Sequence, residues 1–453
     1  MRSINPANGE VIAEYREHTQ AEVDSRLEAA HRAFLDWRRV PFSERAEAMG
    51  RAGEILDKRK EDLARLMALE MGKPVVAGRA EAEKCAWVCR YYADEAETML
   101  ADVPIKTERR KSYIHHEPLG VVLAVMPWNF PIWQVFRFVA PALMAGNAGI
   151  LKHASNVSGC ALQIEEILSE AGFPDGLFAS LLIGSEGVAR VLDDTRVVAA
   201  TLTGSEPAGR AVAAKAGSLL KKTVLELGGS DAYLILADAD LNQAATTCAQ
   251  SRMINNGQSC IAAKRFIVVD EVAGEFTDRF IRDMATYEMA DPLEEDTRLG
   301  PLARHDLRDE LHDQVTRTVG AGATLLLGGE VPDGPGAFYP ASVLAGVKQG
   351  MPAYHEELFG PVASIVTVGS EEEAVVVAND TSFGLGAAVF STDVERAEDL
   401  AATQLDAGCC FVNALVASDP RLPFGGVKSS GYGRELSTLG IKEFVNQKTV
   451  VVA

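Results

Sequence analysis

The chain has 453 residues, room for two or three domains at about 150 residues each. Apolar residues make up 47% and charged residues 24%, the balance of a globular protein with a core large enough to need no disulfide staples. Lys and Arg total 44 against 64 Asp and Glu, a net charge of −20 spread along the chain, which argues against nucleic-acid partners and a basic membrane anchor. No run approaches the roughly 20 apolar residues of a membrane helix. Met1 to Pro6 lack the apolar centre of a secretion signal, and seven Cys without framework spacing fit reduced thiols and a cytoplasmic location.

The first hundred residues read as helices. An amphipathic stretch runs from an N-cap at Ser43 to Met71, with Gly72 and Pro74 as stop signals. A second runs from about Ala77 to Leu100, and Cys85 and Cys89 within it read as packing. His115 and His116, adjacent on a strand, point to opposite faces, so no metal site is expected. The pattern then changes to short apolar strands alternating with helices. Strands are expected at Val121–Val125, Ile150–Lys152, Ser180–Ile183, Ala199–Leu202 and Val224–Leu227. Beyond a seam near residues 228–230 they resume at Tyr233–Leu236, Phe266–Val269, Ala363–Val368 and Gly386–Phe390. This alternation implies βαβ units and mostly parallel sheets in two α/β halves.

The dinucleotide fingerprint GxGxxG, the phosphate loop GxxxxGK[ST] and the hydrolase elbow GxSxG are absent. His355-Glu356-Glu357 lacks the second His of a zinc-protease helix. Four local sequences remain. Cys260 ends the polar turn Asn256-Gly257-Gln258-Ser259, where a thiol is either a presented nucleophile or a small buried hydrophobe. Glu226 ends an apolar strand before Leu227-Gly228-Gly229; partly desolvated, it has the raised pKa of a general base, or it caps a helix or pairs with a Lys. Asn129, inside Pro127-Trp128-Asn129-Phe130-Pro131, is an oxyanion donor or a turn residue bonded to its own backbone. Gly204-Ser205 before a helix offers N–H groups to a phosphate, or is ordinary capping.

Together these sequences resemble the NAD(P)-dependent aldehyde dehydrogenases. Glu356-Glu357-Leu358-Phe359-Gly360-Pro361 and Pro423-Phe424-Gly425-Gly426-Val427-Lys428 complete the set, in the family's order, and the 34-residue interval from Glu226 to Cys260 also fits. The resemblance covers essentially the whole chain and is nearest to short bacterial succinate-semialdehyde dehydrogenases that carry Lys152-His153-Ala154 and Leu227 to Asp231. It implies an α/β fold of two domains with open, mostly parallel sheets and a small β oligomerisation extension. Residues 1–101 and 123–228 would bind the cofactor, 229–432 would carry the nucleophile, and 102–122 with 433–453 would form the extension and tail. The short N-terminus suggests that the family's first β-segments are missing.

The resemblance also implies roles. Cys260 would attack the aldehyde carbon, Asn129 and the Cys260 N–H would hold the oxyanion, and Glu226 would activate water against the thioester. Lys152 and Glu357 would contact ribose hydroxyls, Gly204 and Ser205 the pyrophosphate, and Trp128, Leu227 and Phe359 the nicotinamide half. Ser155 stands where strictly NAD-using relatives carry Glu and can accept a 2′-phosphate, which tilts NAD(P) toward NADP; Glu186 could oppose this. Arg137 matches the position that binds the distal carboxylate of succinic semialdehyde, a fit for a guanidinium fork. A second Arg found in some members is Ile254 here, leaving Ser259 and Ser418 as further donors. A broad aldehyde dehydrogenase with a structural Arg137 and a non-catalytic nucleotide-binding relative are the competing readings. The resemblance further implies a homodimer or homotetramer paired through the β-extension, in which the terminal run Lys448 to Ala453 presents an open edge for a partner. Cys409-Cys410 reads as buried packing.

Overall fold

The computed structural model describes all 453 residues. The chain opens with an antiparallel pair, β1 (Arg2–Ile4) and β2 (Val11–Glu14). This pair was not among the strands expected from the sequence. The pair is tied down at buried Ser3, whose hydroxyl donates to Glu70 Oε1 at 2.5 Å.

Four helices follow: α1 (Gln20–Trp37), α2 (Phe42–Lys58), α3 (Lys60–Met71) and α4 (Val75–Met99). The stretch expected as one helix to Met71 is two, because Arg59 (φ −95°, ψ 6°) leaves the helical range between α2 and α3. Its cap is not Ser43: the N-cap is Pro41, with no side-chain bond, and Ser43 lies within the helix. Gly72 does end α3, at φ 77°, a left-handed position suited to glycine. Cys85 and Cys89 are buried on α4.

The first large sheet begins after a small one. β3 (Val103–Pro104) and β4 (Lys111–Pro118) lead to β5 (Val121–Met126), α5 (Trp133–Met144), β6 (Ala148–His153) and α6 (Ser158–Glu170). Then come β7 (Phe178–Ser180), α7 (Gly187–Asp193), β8 (Val197–Thr203), α8 (Glu206–Ser218) and β9 (Lys222–Glu226). Leu181 to Ile183, expected in a strand, lie beyond β7. These strands run parallel in the order β9-β8-β5-β6-β7. The order reverses beside β5, and the crevice outside the carboxyl ends of strands at such a point is where ligands bind in open α/β sheets.

The second sheet follows Gly228-Gly229. Its elements are β10 (Ala232–Ile235), α9 (Leu241–Met253), β11 (Arg265–Val269), α10 (Asp270–Ala285), α11 (His305–Gly320), β12 (Thr324–Leu327) and β13 (Ser342–Ala345). They continue through α12 (Pro352–His355), β14 (Val362–Val368), α13 (Glu371–Asn379), β15 (Gly386–Phe390), α14 (Val394–Thr403) and β16 (Cys409–Val412). The order is β12-β13-β14-β11-β10-β15-β16, parallel except for β12. Cys409 and Cys410 are half-buried on the edge strand β16, where both pack against the apolar cores without being enclosed by them.

The chain then returns to the first sheet, where β17 (Gly431–Tyr432) pairs antiparallel with β9. After α15 (Ser437–Ile441), β18 (Val445–Val452) pairs along the whole of β4. The result is two α/β units with mostly parallel sheets and a small antiparallel sheet, β18-β4-β3. The largest apolar core lies around the first sheet and its helices, and two smaller cores cover the faces of the second. No helix is long and apolar enough to cross a membrane.

Candidate active site

The turn that presents Cys260 is shaped by its sequence. After α9, Asn255 (φ 54°) and Asn256 (φ 58°) are left-handed, a conformation that Asn tolerates better than most residues, and Gly257 follows at φ 74°. A Cβ at Gly257 would lie 2.3 Å from the Gly360 carbonyl, so only glycine fits. The Asn side chains then bind backbone. Asn256 Nδ2 donates to the carbonyls of Gly72 and Pro301 at 2.9 and 3.1 Å, and its Oδ1 accepts from Gly300 N–H at 2.9 Å. Asn255 Nδ2 donates to the carbonyls of Asn129 and Gln258 at 2.7 and 3.0 Å. Asn129 Nδ2 donates to the Gln258 carbonyl at 3.1 Å, which locks its turn to the Cys260 turn and leaves a second amide N–H. From below, buried Lys264 donates to the carbonyls of Ser259 and Cys260, each at 2.8 Å, and lies 3.3 Å from Glu357 Oε1.

Two cavities meet at this turn. One, of about 620 Å³, opens along the carboxyl ends of β5, β8 and β9 and is walled by Trp128, Asn129, Gly204, Ser205, Leu227, Glu357 and Phe359 among others. The Trp128 and Phe359 rings meet edge to face, 5.8 Å apart at 89°. The other, of about 550 Å³, runs between α4, α5 and the loop before Phe424; Arg137, Ser259 and Ser418 line it. Cys260 is the one residue on both walls.

Three of the expected site residues are on neither wall. Lys152 is at the end of β6, and Ser155 is exposed just after it, both apart from the 620 Å³ cavity. Burial lowers the Lys152 pKa, opposed by the charge of Glu186. Glu226, expected to be partly desolvated, is enclosed at 2% exposure, and neither carboxylate oxygen has a hydrogen-bond partner.

The enclosed charges act on one another. Burial pushes the Glu226 pKa well above the usual carboxylate range, the Glu435 charge raises it further, and Arg137 and Arg434 oppose both. Glu435 is itself raised by burial and forms an ion pair with Arg137. Arg137 is 2% exposed, and its Nη2 donates to Thr203 Oγ1 at 3.3 Å. Its guanidinium also stands over the Phe424 ring at 4.9 Å. Burial pushes the Cys260 thiol up to about 12, against the charges of Lys264 and Arg137, so it rests protonated.

Sequence reasoning missed Lys84, Lys264 and Glu435. Lys84 lines the 550 Å³ cavity but follows Glu81 by three positions on a helix, the spacing of any solvent-facing pair. Lys264 and Glu435 sit among other charged residues and carry no local signal.

The aldehyde dehydrogenase family model matches residues 1–450, and the chain belongs to that family. Among its relatives, a Synechocystis protein named as a probable succinate-semialdehyde dehydrogenase (NADP+) is 50% identical over 451 residues, covering 100% of this chain and 99% of that one. A Mycobacterium bovis protein named succinate-semialdehyde dehydrogenase (NADP+) 1 is 49% identical over 454 residues, with the same coverage. The crystal structure of succinic semialdehyde dehydrogenase from Streptococcus pyogenes in complex with NADP+ superposes with a TM-score of 0.97 at 40% identity. It covers 100% of this chain and 99% of the other.

Proposed function

We propose that this chain oxidises succinic semialdehyde to succinate with NADP as the favoured cofactor and NAD as the alternative. The observation that carries the reading is that Cys260 alone lines both cavities, so a covalent adduct on its sulfur faces a cofactor on one side and a substrate channel on the other. The relatives named for this activity, at 49 and 50% identity, supply the substrate and cofactor. The residues present fit a dinucleotide. Ser205 caps α8 without a side-chain bond, leaving first-turn N–H groups beside the 620 Å³ cavity for a pyrophosphate. Trp128, Leu227 and Phe359 give it an apolar end, and Glu357 an acceptor for ribose hydroxyls. Lys152 and Ser155 would meet the adenosine ribose and its 2′-phosphate further along the carboxyl edge of the sheet.

In this reading the Cys260 thiol passes its proton to water in the cavity and the thiolate sulfur adds to the aldehyde carbon. The second Asn129 N–H and the Cys260 backbone N–H receive the oxyanion, where fixed donors in a dry site count most. The dinucleotide, when bound, supplies the acceptor for the hydride that this carbon gives up. Glu226, with its raised pKa, takes a proton from the water that opens the thioester and frees the acid. Arg137, Ser259 and Ser418 line the channel that receives the far carboxylate. Residues 1–101 and 123–228 form the cofactor unit, and 229–432 form the unit that carries Cys260. The β18-β4-β3 sheet, with residues 102–122 and 433–453, joins subunits into a dimer or tetramer, covering the exposed Val451 and Val452 on β18. A stable monomer by light scattering would refute that assembly.

The pairing of Arg137 with Glu435 favours a second reading, a broad aliphatic aldehyde dehydrogenase in which Arg137 is structural. The deciding measurement is kcat/KM for succinic semialdehyde against butanal, with NADP and with NAD. A preference of about 100-fold or more for the semialdehyde is expected from one charge-assisted anchor. Equal values would establish the broad reading.

A further inference from the structure

The 550 Å³ cavity is short of one negative charge. Lys73 and Glu81 form a buried ion pair on its wall, so they cancel. Arg137 is paired with Glu435 in the same way. Arg298 is exposed, bonded to Thr286 and stacked over Tyr287 at 3.9 Å, so water screens its charge. Lys84 remains. It is half-buried, has no carboxylate partner, and donates to Ser418 Oγ at 2.8 Å. Its ammonium lies over the Trp133 ring at 4.5 Å. Trp133 and Arg137 are one turn apart on α5, so the ammonium sits over the helix face that carries the guanidinium into the cavity.

A donor on the same cavity wall is also unsatisfied. Ser259 Oγ is buried there without a hydrogen-bond partner. A hydroxyl can donate to an incoming oxygen, and burying it unpaired costs free energy that such a ligand would recover. Burial and the charge of Arg137 hold the Lys84 pKa down to about 8, the state of a cation lacking its counter-ion.

We infer that Lys84, rather than Arg137, is the principal charge partner of the substrate's distal carboxylate, with Ser418 and Ser259 completing its hydrogen bonds. The inference rests on the proposed oxidation of succinic semialdehyde and names the residue that confers the specificity. Arg137 then has another task, holding Glu435 and thereby setting the field at Glu226. The enclosed walls carry one uncompensated positive charge, which matches a ligand with one carboxylate and a neutral reacting end. A dicarboxylate would leave its second charge unmatched beside Cys260.

The test compares wild type, Lys84→Met, Lys84→Arg and Arg137→Met by the ratio of kcat/KM for succinic semialdehyde to that for butanal, with NADP. Loss of Lys84's charge should lower the ratio about 100-fold, mainly through KM, and Arg should restore at least a third of the loss on a logarithmic scale. Inhibition by butanoate should weaken in parallel, a readout that a packing role would not move. Arg137→Met should depress turnover of both aldehydes, because it leaves Glu435 buried without its partner. Lys84→Gln serves the same comparison should the Met variant not fold. A wild type that prefers the semialdehyde, with a ratio unchanged in Lys84→Met and collapsed in Arg137→Met, overturns this inference and leaves the proposed function standing. A wild type indifferent to the two aldehydes overturns both.

Discussion

The two cavities that meet at Cys260 are built from different parts. The 620 Å³ cavity is walled largely by short segments at strand ends: Pro127-Trp128-Asn129 after β5, Gly204-Ser205 after β8, Leu227-Gly228 after β9. In the 550 Å³ cavity the polar groups that could meet an aldehyde's far end come singly from distant elements, Lys84 on α4, Arg137 on α5 and Ser418 in a loop. A dinucleotide is recognised by backbone and turn geometry, which the sheet edge supplies repeatedly. An aldehyde's far end is recognised by one or two side chains, which can be exchanged without disturbing the fold. On the proposed function the first cavity could be shared among enzymes of different substrates while the second would set which aldehyde enters.

Cys260 belongs to both, so its removal is the largest perturbation. Cys260→Ala should reduce aldehyde-dependent NADPH formation by about 10⁴-fold or more, as loss of a covalent nucleophile does. NADP binding, followed by quenching of tryptophan fluorescence, should persist. Turnover within tenfold of wild type would end the covalent reading; loss of NADP binding as well would show that the two cavities are not separable.

Glu226 tests whether the enclosed charges serve the second half of the reaction. Glu226→Gln should lower steady-state turnover by about 10² to 10³-fold while the first turnover survives as a burst, because acyl transfer to water then lacks its base. The variant also has a stability signature. The folded pKa of Glu226 is well above that of an unfolded glutamate, so between the two values the folded chain binds more protons and stability falls as pH rises. Gln removes that slope, so melting curves should show the variant gaining on wild type at pH 8 relative to pH 5. A gain at pH 5 alone would contradict the sign.

The same division explains what the sequence made legible. Asn129, Gly257, Cys260 and Glu357 lie in contiguous turns whose residue types are constrained by geometry, as the 2.3 Å approach to Gly360 illustrates at Gly257. Most of the parallel strands were legible because strands covered on both faces are continuous apolar runs. β12, β13, β16 and β17 were not. β12, β16 and β17 lie at sheet edges, with the part-exposed or two-residue patterns of loops, and β13, though buried inside the sheet, is the four-residue Ser342-Val343-Leu344-Ala345, too short an apolar run to stand out. The β1–β2 pair was missed because its mostly exposed residues give no periodic signal and its buried link, Ser3 to Glu70, spans 67 residues. The role of Lys84 depends on Ser418, 334 residues away, and the field at Glu226 on Glu435 and Arg137. Such pairings are tertiary facts, and local sequence does not encode them.

The smallest expected effect separates the two cations of the substrate cavity most cleanly. Lys84 is held down to about 8 by burial, with Arg137 on α5 lowering it further, while Cys85 and Glu81 on its own helix and Asp419 in the facing loop oppose this. Raising pH through 8 therefore neutralises Lys84 in the free enzyme, and kcat/KM reports the free enzyme. Cys260 and Glu226 also titrate, but they act on every aldehyde, so the ratio of kcat/KM for succinic semialdehyde to butanal cancels them. That ratio should be level below pH 7.5 and fall by up to about tenfold per pH unit above 8, as one group losing its proton requires. In Lys84→Arg it should stay level to pH 9.5, because a guanidinium keeps its charge there. A wild-type ratio level across the same range would give the carboxylate to Arg137 and make Lys84 a packing residue over Trp133.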